Sequence, residues 1–342
     1  MLNKAISSII GTLLMLIITI GLFGFSYSYI SGVLTTKTAE VFSVVDAFSD
    51  TITISNDGTV PITSFSSVKI DGNDAVYRVS KQDNSLVGYW KMDEGSGSTT
   101  ADSSGNANTG NLTNMNTTGN STSGWNSTDC KFGNCMQFDN IDDKINISDS
   151  PSLSPTSAVT ISAWVRGSAF QNAGSTEPVV SKYKGGTADR SYELNVDGVS
   201  GNQFFDFYLR AGSTLNLKSV TKPQNDIWYL VTATYDGSNM NMYVDGIFEA
   251  NLANTGSITD STLGVLIGWN HDNSFFGGLI DEVRIYNRAL SADEIKAIYN
   301  IGSQINPGEI AAIKVYNQLS KGTHTLRICT SSTCNTAVLR IN

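Results

Sequence analysis

The chain has 342 residues, room for two or three domains, and only 15% of them are charged, for a formal net charge of -9. No cluster of Lys and Arg exists to follow a phosphate backbone, so no nucleic-acid partner is expected. The two histidines, His271 and His324, are far apart, which leaves almost nothing for a His-based metal site or a Ser-His-Asp centre.

The first element is the uncharged run 5–30, AISSIIGTLLMLIITIGLFGFSYSYI. At about 1.5 Å per residue, a helix of this length crosses a bilayer's hydrocarbon core. Lys4 is the one charge before it, and a lysine there favours a cytoplasmic N-terminus, with the rest of the chain outside. The run is too long for the apolar core of a secretory signal peptide.

A helix is therefore expected over 6–38, followed by strands. Thr51-Ile52-Thr53-Ile54-Ser55 alternates and is β-branched, Asn56-Asp57-Gly58 is a hairpin-type turn, and Val68-Lys69-Ile70 before Asp71-Gly72 repeats the pattern. About 40 residues of this kind bury no useful core alone. The complement lies at the other end. A strand is expected over 310–315 after the turn Asn306-Pro307-Gly308, then a hairpin over 325–330 and 336–341. The segments 41–82 and 303–342 together suffice for a small Ig-like β-sandwich, and 86–301 is an insertion into it. The insertion reads as short strands between Gly, Asn and Asp turns, an all-β pattern. Its one clear helix starts at Ser291, with Glu294 completing a capping box.

The cysteines pair as Cys130/Cys135 and Cys329/Cys334 across short turns, without the tighter Cys-x-x-Cys of a metal site. In an exported chain these are expected disulfides. Five sequons, at Asn111, Asn116, Asn120, Asn126 and Asn146, mark expected glycosylation sites.

Two stretches resemble known families. Lys4-Ala5-Ile6-Ser7-Ser8-Ile9-Ile10-Gly11, followed by Leu13-Leu14-Met15-Leu16-Ile17-Ile18-Thr19, resembles the N-terminus of archaeal type IV pilins and archaellin-related proteins. The chain departs from that family in having Ser8 where proline is common. The resemblance implies a leader over 1–5, cleavage between Ala5 and Ile6 by a prepilin peptidase, and a helix that sits in the membrane or packs with other pilin-like subunits. The two β-rich arms also resemble the membrane-proximal β-domain of these proteins, most recognisably at Asn306-Pro307-Gly308-Glu309.

The insertion carries Gly88-Tyr89-Trp90-Lys91-Met92-Asp93-Glu94-Gly95, Asp102-Ser103-Ser104-Gly105-Asn106, Ile161-Ser162-Ala163-Trp164-Val165, Met242-Tyr243-Val244-Asp245-Gly246 and Gly278-Leu279-Ile280-Asp281-Glu282-Val283-Arg284-Ile285-Tyr286. Their order and wording resemble the LamG-like, concanavalin A-like lectin/glucanase superfamily. That implies a large jelly-roll β-sandwich and an extracellular carbohydrate or protein ligand. It also implies a structural ion near Asp281, and the oxygen-rich loop of Asp102 and Asn106 makes the three a candidate calcium site. Asp139, Asp142 and Asp143 form a second acidic group.

Glycoside hydrolases of this superfamily carry Glu-x-Asp-x-(x)-Glu, which is missing. Glu193 and Asp197 are four apart with no third acid, and adjacent Asp281 and Glu282 point to opposite faces of a strand. No enzyme activity is expected. Trp125, Tyr183, Tyr208 and Trp269 lie in loops or near strand ends, where an aromatic either stacks on a sugar or packs in the core. Trp90, Trp164 and Trp228 lie in strand runs and are expected in the core. The sequence assigns none of them to a sugar site. The expectation is a mainly β surface protein, either a pilin-like subunit displaying its large domain for adhesion or a membrane-anchored lectin-like protein that does not polymerise.

Overall fold

The structure, a computed structural model, describes residues 40–341 other than 49, 82, 119–121, 169, 171–175, 187–188 and 200–201. The expected leader 1–5, the expected 6–38 helix and the Ala5/Ile6 cleavage position all lie outside these residues. Among the described residues, no helix is long and apolar enough to cross a membrane.

The chain opens with β1 (Phe42–Phe48), β2 (Thr51–Asn56), β3 (Ser67–Ile70), β4 (Asn73–Asp74) and β5 (Tyr77–Ser80). Next come β6 (Leu86–Trp90), β7 (Thr99–Thr100), β8 (Gly110–Thr113), β9 (Gly124–Asn126), β10 (Cys135–Asp139) and β11 (Lys144–Ile147). The longer strands are β12 (Val159–Gly167), β13 (Glu177–Tyr183), β14 (Arg190–Val199), β15 (Asn202–Ala211) and β16 (Ser213–Lys218). They lead to β17 (Tyr229–Tyr235), β18 (Asn239–Val244), β19 (Ile247–Ala253), β20 (Val265–Ile267) and β21 (Gly277–Tyr286). Helix α1 (Ala292–Ile301) precedes β22 (Ile310–Val315), β23 (Gly322–Cys329) and β24 (Cys334–Ile341).

These elements form two compact units. Among the described residues, the smaller comprises those from 40 to Asp74, Ile305–Ile310 and those from Lys321 onward. Here β1 pairs with β2, and a separate sheet runs β24-β23-β3-β4. Alternation buries Ile52, Ile54, Val68, Ile70, Leu326 and Ile328 and turns their neighbours outward. The turn at Asn56-Asp57-Gly58 does not close a two-residue hairpin, because the next strand starts only at Ser67. Asn56 instead pins the loop. Its buried Nδ2 donates to the carbonyls of Val60 and Ile305, and its Oδ1 accepts from the Gly58 N–H. The Cys329–Cys334 disulfide closes the β23–β24 hairpin.

The larger unit comprises Ala75–Gln304 and Ala311–Ser320. Its first sheet runs β19-β18-β17-β12-β21-β10-β9, with β6 also on β21, and its second runs β16-β15-β14-β13-β20-β11-β8-β7. One apolar cluster draws on both, including Ile161, Ala233 and Ile285 from the first and Leu194, Phe207 and Ile267 from the second. The sheets therefore pack as a sandwich, burying the inward residues of every strand.

The outer face of the first sheet is also covered around its central strands, which is why all of β21 is buried. Leu290, Ile295 and Ile298 pack there on Trp164, Leu230 and Tyr286. Helix α1 is fixed at its start by the expected capping box, since the Ser291 side chain accepts the Glu294 N–H and Glu294 accepts the Ser291 N–H. It ends at Gly302 in the left-handed conformation, φ 97°. Strands β5 and β22 pair in this unit through Tyr77–Ser80 and residues 312–315.

Candidate functional site

With the centre of the first sheet covered on both sides, the outer face of the second sheet is where buried polar side chains gather. On β14 the inward residues are Tyr192, Leu194 and Val196, so Glu193, Asn195 and Asp197 face out. On β15, Phe205, Phe207 and Leu209 face in, so Asp206 and Tyr208 face out. Register completes the set, with Ser181 opposite Glu193, Glu193 opposite Tyr208, Asn195 opposite Asp206, and Tyr208 opposite Asn216.

The centre of this face is a sunken polar floor. Glu193 is 3% exposed, and Ser181, Asn195 and Asp206 are fully buried. Glu193 Oε2 accepts from Ser181 Oγ at 2.7 Å, and Oε1 accepts from Asn195 Nδ2 at 2.9 Å and Asn270 Nδ2 at 3.5 Å. Asp206 Oδ2 accepts from Asn216 Nδ2 at 2.9 Å, with Lys218 Nζ 3.9 Å away. Asn195 Oδ1 and Asp206 Oδ1 have no hydrogen-bond partner. Around this floor stand the half-buried Tyr183, Tyr208, Asp197 and Asn216. The tyrosine rings lie 5.8 Å apart, inclined at 51°, and Tyr208 Oη donates to Asp197 Oδ2 at 3.4 Å.

Burial governs the electrostatics. Loss of water pushes the Glu193 carboxyl up to about 7, against the opposing pull of its hydrogen bonds from Ser181, Asn195 and Asn270. Burial likewise pushes Asp206 up to about 6, with Asn216 and Lys218 pulling the other way. Burial, reinforced by Asp206 and Asp197, drives the Tyr208 phenol well above its ordinary value, so it stays a neutral donor. The face thus offers two aromatic rings, neutral donors and acceptors, and partly protonated acids. That combination suits a neutral polyhydroxyl ligand with apolar ring faces.

Asp206 is the member that sequence reasoning missed. Glu193 and Asp197 lack a third acid along their own strand, and the neighbouring strand supplies one through the β14–β15 register. The alternation of Phe205, Phe207 and Leu209 signals that Asp206 faces away from the core, but not what it faces.

Of the candidate calcium residues, Asp102 and Asn106 are taken up by other partners, while Asp281 keeps Oδ1 without one. Asp102 Oδ1 accepts the N–H groups of Tyr89 and Ser104, and Oδ2 accepts the Asn108 N–H and the Ser104 hydroxyl. Asn106 Nδ2 donates to Ser104 Oγ and the Leu86 carbonyl. Asp281 is fully buried on β21, where Oδ2 accepts the Phe132 N–H. A calcium ion needs six or more oxygens turned towards it, roughly, and the four donors on Asp102 do not suit that. In the second acidic group, carboxylate oxygens of Asp139, Asp142 and Asp143 lie within 4.8 Å of one another. Asp143 accepts from Ser123 Oγ and the Asp139 N–H, and Asp139 from the Ile141 N–H, so both brace their own loop.

Asp281 and Glu282 belong to a buried charge network. Glu282 Oε2 accepts from Tyr89 Oη at 2.7 Å and Arg284 Nη2 at 2.5 Å, and Arg284 also donates to Tyr89 Oη. Arg78, from β5, lies 3.5 Å over the Phe132 ring and donates to the carbonyls of Ile298 and Tyr299. All three carboxylate and guanidinium groups of the 282–284 and Arg78 set are nearly inaccessible, which makes the network a fixture of the fold.

The Cys130–Cys135 disulfide is present, as is Cys329–Cys334. Trp90 and Trp164 are buried as expected, and Trp125 joins them, fully buried with Nε1 donating to the Gly97 carbonyl, so it is not available for stacking. Of the sequons, Asn111, Asn116 and Asn146 are exposed and Asn126 is half-buried, while Asn120 lies outside the described residues.

Residues 138–296 match the family model Laminin_G_3, the concanavalin A-like lectin/glucanases superfamily. Among solved structures, the chain is similar to domain 4 of AbnA, an extracellular arabinanase from Geobacillus stearothermophilus, in complex with arabinotriose. The two are 21% identical over 63% of this chain and 98% of that one, with a TM-score of 0.49. It is also similar to the binding domain of Paraclostridial Mosquitocidal Protein 1, 17% identical over 64% of this chain and 53% of that one, TM-score 0.48. A third is the botulinum neurotoxin serotype D ligand binding domain in complex with N-acetylneuraminic acid, 12% identical over 63% and 50%, TM-score 0.47. The chain thus spans about half the length of the two toxin domains. No curated protein matches the chain.

Proposed function

We propose that the chain is a cell-surface, pilin-like subunit whose larger unit binds a neutral glycan on the outer face of its second sheet. The observation that carries the binding reading is the pairing of the Tyr183 and Tyr208 rings with the Ser181-Glu193-Asn195-Asp206 floor. The lectin/glucanase match over 138–296 supports it. Binding without hydrolysis fits the floor better than catalysis. Both Glu193 oxygens are already engaged and Asp206 leaves one oxygen free, whereas a glycosidase works with a pair of carboxyl groups turned towards the scissile bond.

The pilin reading rests on the sequence of 4–19, and the two disulfides agree with an exported chain. The second reading, a membrane-anchored lectin-like protein that does not polymerise, uses the same 5–30 run as an anchor. Intact mass decides between them when sheared filaments and membranes are compared. Loss of residues 1–5 in the filament fraction is the expected result, and full-length protein confined to membranes overturns it. For the ligand, an oligosaccharide array probed with the wild-type and Tyr208→Ala proteins should show binding that the variant loses.

A further inference from the structure

The face that holds the two tyrosines carries a further aromatic ring. On β15, Phe205, Phe207 and Leu209 point into the core, so Phe204 lies with Asp206 and Tyr208 on the outer face. Phe204 is half-buried and stands outside the core cluster. Register sets it directly opposite Asp197, whose Oδ2 accepts the Tyr208 hydroxyl. The ammonium groups of Lys218 and Lys222 lie 5.7 and 5.6 Å from the Phe204 ring centroid. A cation is attracted to a ring within about 6 Å. Both lysines are exposed, so each can also donate to hydroxyls laid against that ring.

Phe204 and Tyr208 are four residues apart on one strand, a span of about 13 Å at roughly 3.3 Å per residue. That exceeds one sugar ring and matches the reach of a trisaccharide. Asp206 is the sunken middle of the span, but the residues around it are open. Asp197 and Asn216 are half-buried, and the Lys218 side chain is 43% exposed. On β16, Asn216 stands opposite Tyr208 and Lys218 opposite Asp206, so polar groups line the way from one ring to the other. Towards β20, by contrast, the row leaving the tyrosines passes Glu193, Ser181 and Leu266, all buried. Past Tyr208 on β15 stand Arg210 and, opposite it, Thr214, neither of which offers a ring.

We propose that Phe204 is a second stacking platform, and that the ligand is an extended oligosaccharide of trisaccharide length or more lying along β15. One sugar rests on the Tyr183–Tyr208 pair and another on Phe204. The sugar between them bridges Asp206, within reach of Asn216 and Lys218. The proposal rests on the glycan-binding reading given above and adds the ligand's length and direction.

The test uses an oligosaccharide array that carries each sugar sequence from monosaccharide to hexasaccharide. It is probed with the full chain as wild type, Phe204→Ala, Phe204→Tyr and Tyr208→Ala. Wild-type affinity is expected to rise several-fold between disaccharide and trisaccharide. Phe204→Ala should lose that rise while keeping wild-type affinity for the shorter sugars and a wild-type Tm. Phe204→Tyr, which keeps a ring, should retain the rise, and Tyr208→Ala should bind every length more weakly.

Equal wild-type affinity for short and long chains overturns the proposal, as does a rise that survives in Phe204→Ala or a loss in that variant that is the same at every length. Each of these leaves the glycan-binding reading standing on Tyr208→Ala. A wild type that binds no sugar on the array removes that reading, and the second platform with it.

Discussion

Asn195 on β14 and Asp206 on β15 stand directly opposite each other, both fully buried, and each keeps one side-chain oxygen without a partner. An unpartnered buried acceptor costs about 1–3 kcal/mol. A proton on Asp206, or a ligand hydroxyl reaching the floor, would relieve that cost.

The proton can be tested through stability. The carboxyls of Glu193 and Asp206 ionise near pH 4 in the unfolded chain and near 7 and 6 in the folded one. Between those values the folded chain holds more protons, so stability is greatest at the acidic end and falls as pH rises from about 4 to 7. Glu177, Asp93 and Asp143, raised by burial to about 7, 6 and 6, act in the same direction. Tm of the larger unit is therefore expected to be higher at pH 5.5 than at pH 7.5. The gap should narrow in the Glu193→Gln/Asp206→Asn double variant, and an unchanged gap would remove these two acids from the account.

Stacking and hydrogen bonding at Tyr208 separate by substitution. Tyr208→Phe keeps the ring and loses the bond to Asp197, whereas Tyr208→Ala loses both. Oligosaccharide affinity is expected to fall about tenfold or more in Tyr208→Ala, or about 1.4 kcal/mol, and by less in Tyr208→Phe. Tm should stay near the wild-type value in both, and equal affinities would exclude the ring as the ligand platform.

Arg284→Ala leaves Glu282 buried without its cation and Tyr89 without its donor. Breaking a buried pair in this way costs roughly 3–5 kcal/mol. Denaturant unfolding should show that loss, with partial recovery in Glu282→Gln/Arg284→Met, whose side chains leave no unpaired charge. A loss below about 1 kcal/mol, the scale of an exposed pair, would mean the network is open to water.

Thermal unfolding in EDTA and in excess calcium addresses the ion. Because the Asp102 oxygens are filled by four donors, Tm is expected to be the same in both. A rise of about 3 kcal/mol in stability at saturating calcium, as for a ligand at a hundred times its Kd or more, would instead show that an ion binds. Its loss in Asp281→Asn but not in Asp142→Asn would place the ion at the group of Asp102, Asn106 and Asp281.

The sequence by itself determined the class and the local pieces. Two-residue alternation made Thr51–Asn56 a strand, Ser291 and Glu294 built the capping box, and short cysteine spacing set both disulfides. These depend on neighbours within a few residues, where periodicity and turn chemistry act directly. What only the tertiary structure decided was which side chains meet. Asp206 joins Asn195, Arg78 reaches Phe132, and Asn146 faces Asn111 through strand order and register. A one-residue slip would turn each to the opposite face. Those pairings are fixed by the packing of the sandwich core, in which distant strands choose one another by the fit of their buried faces.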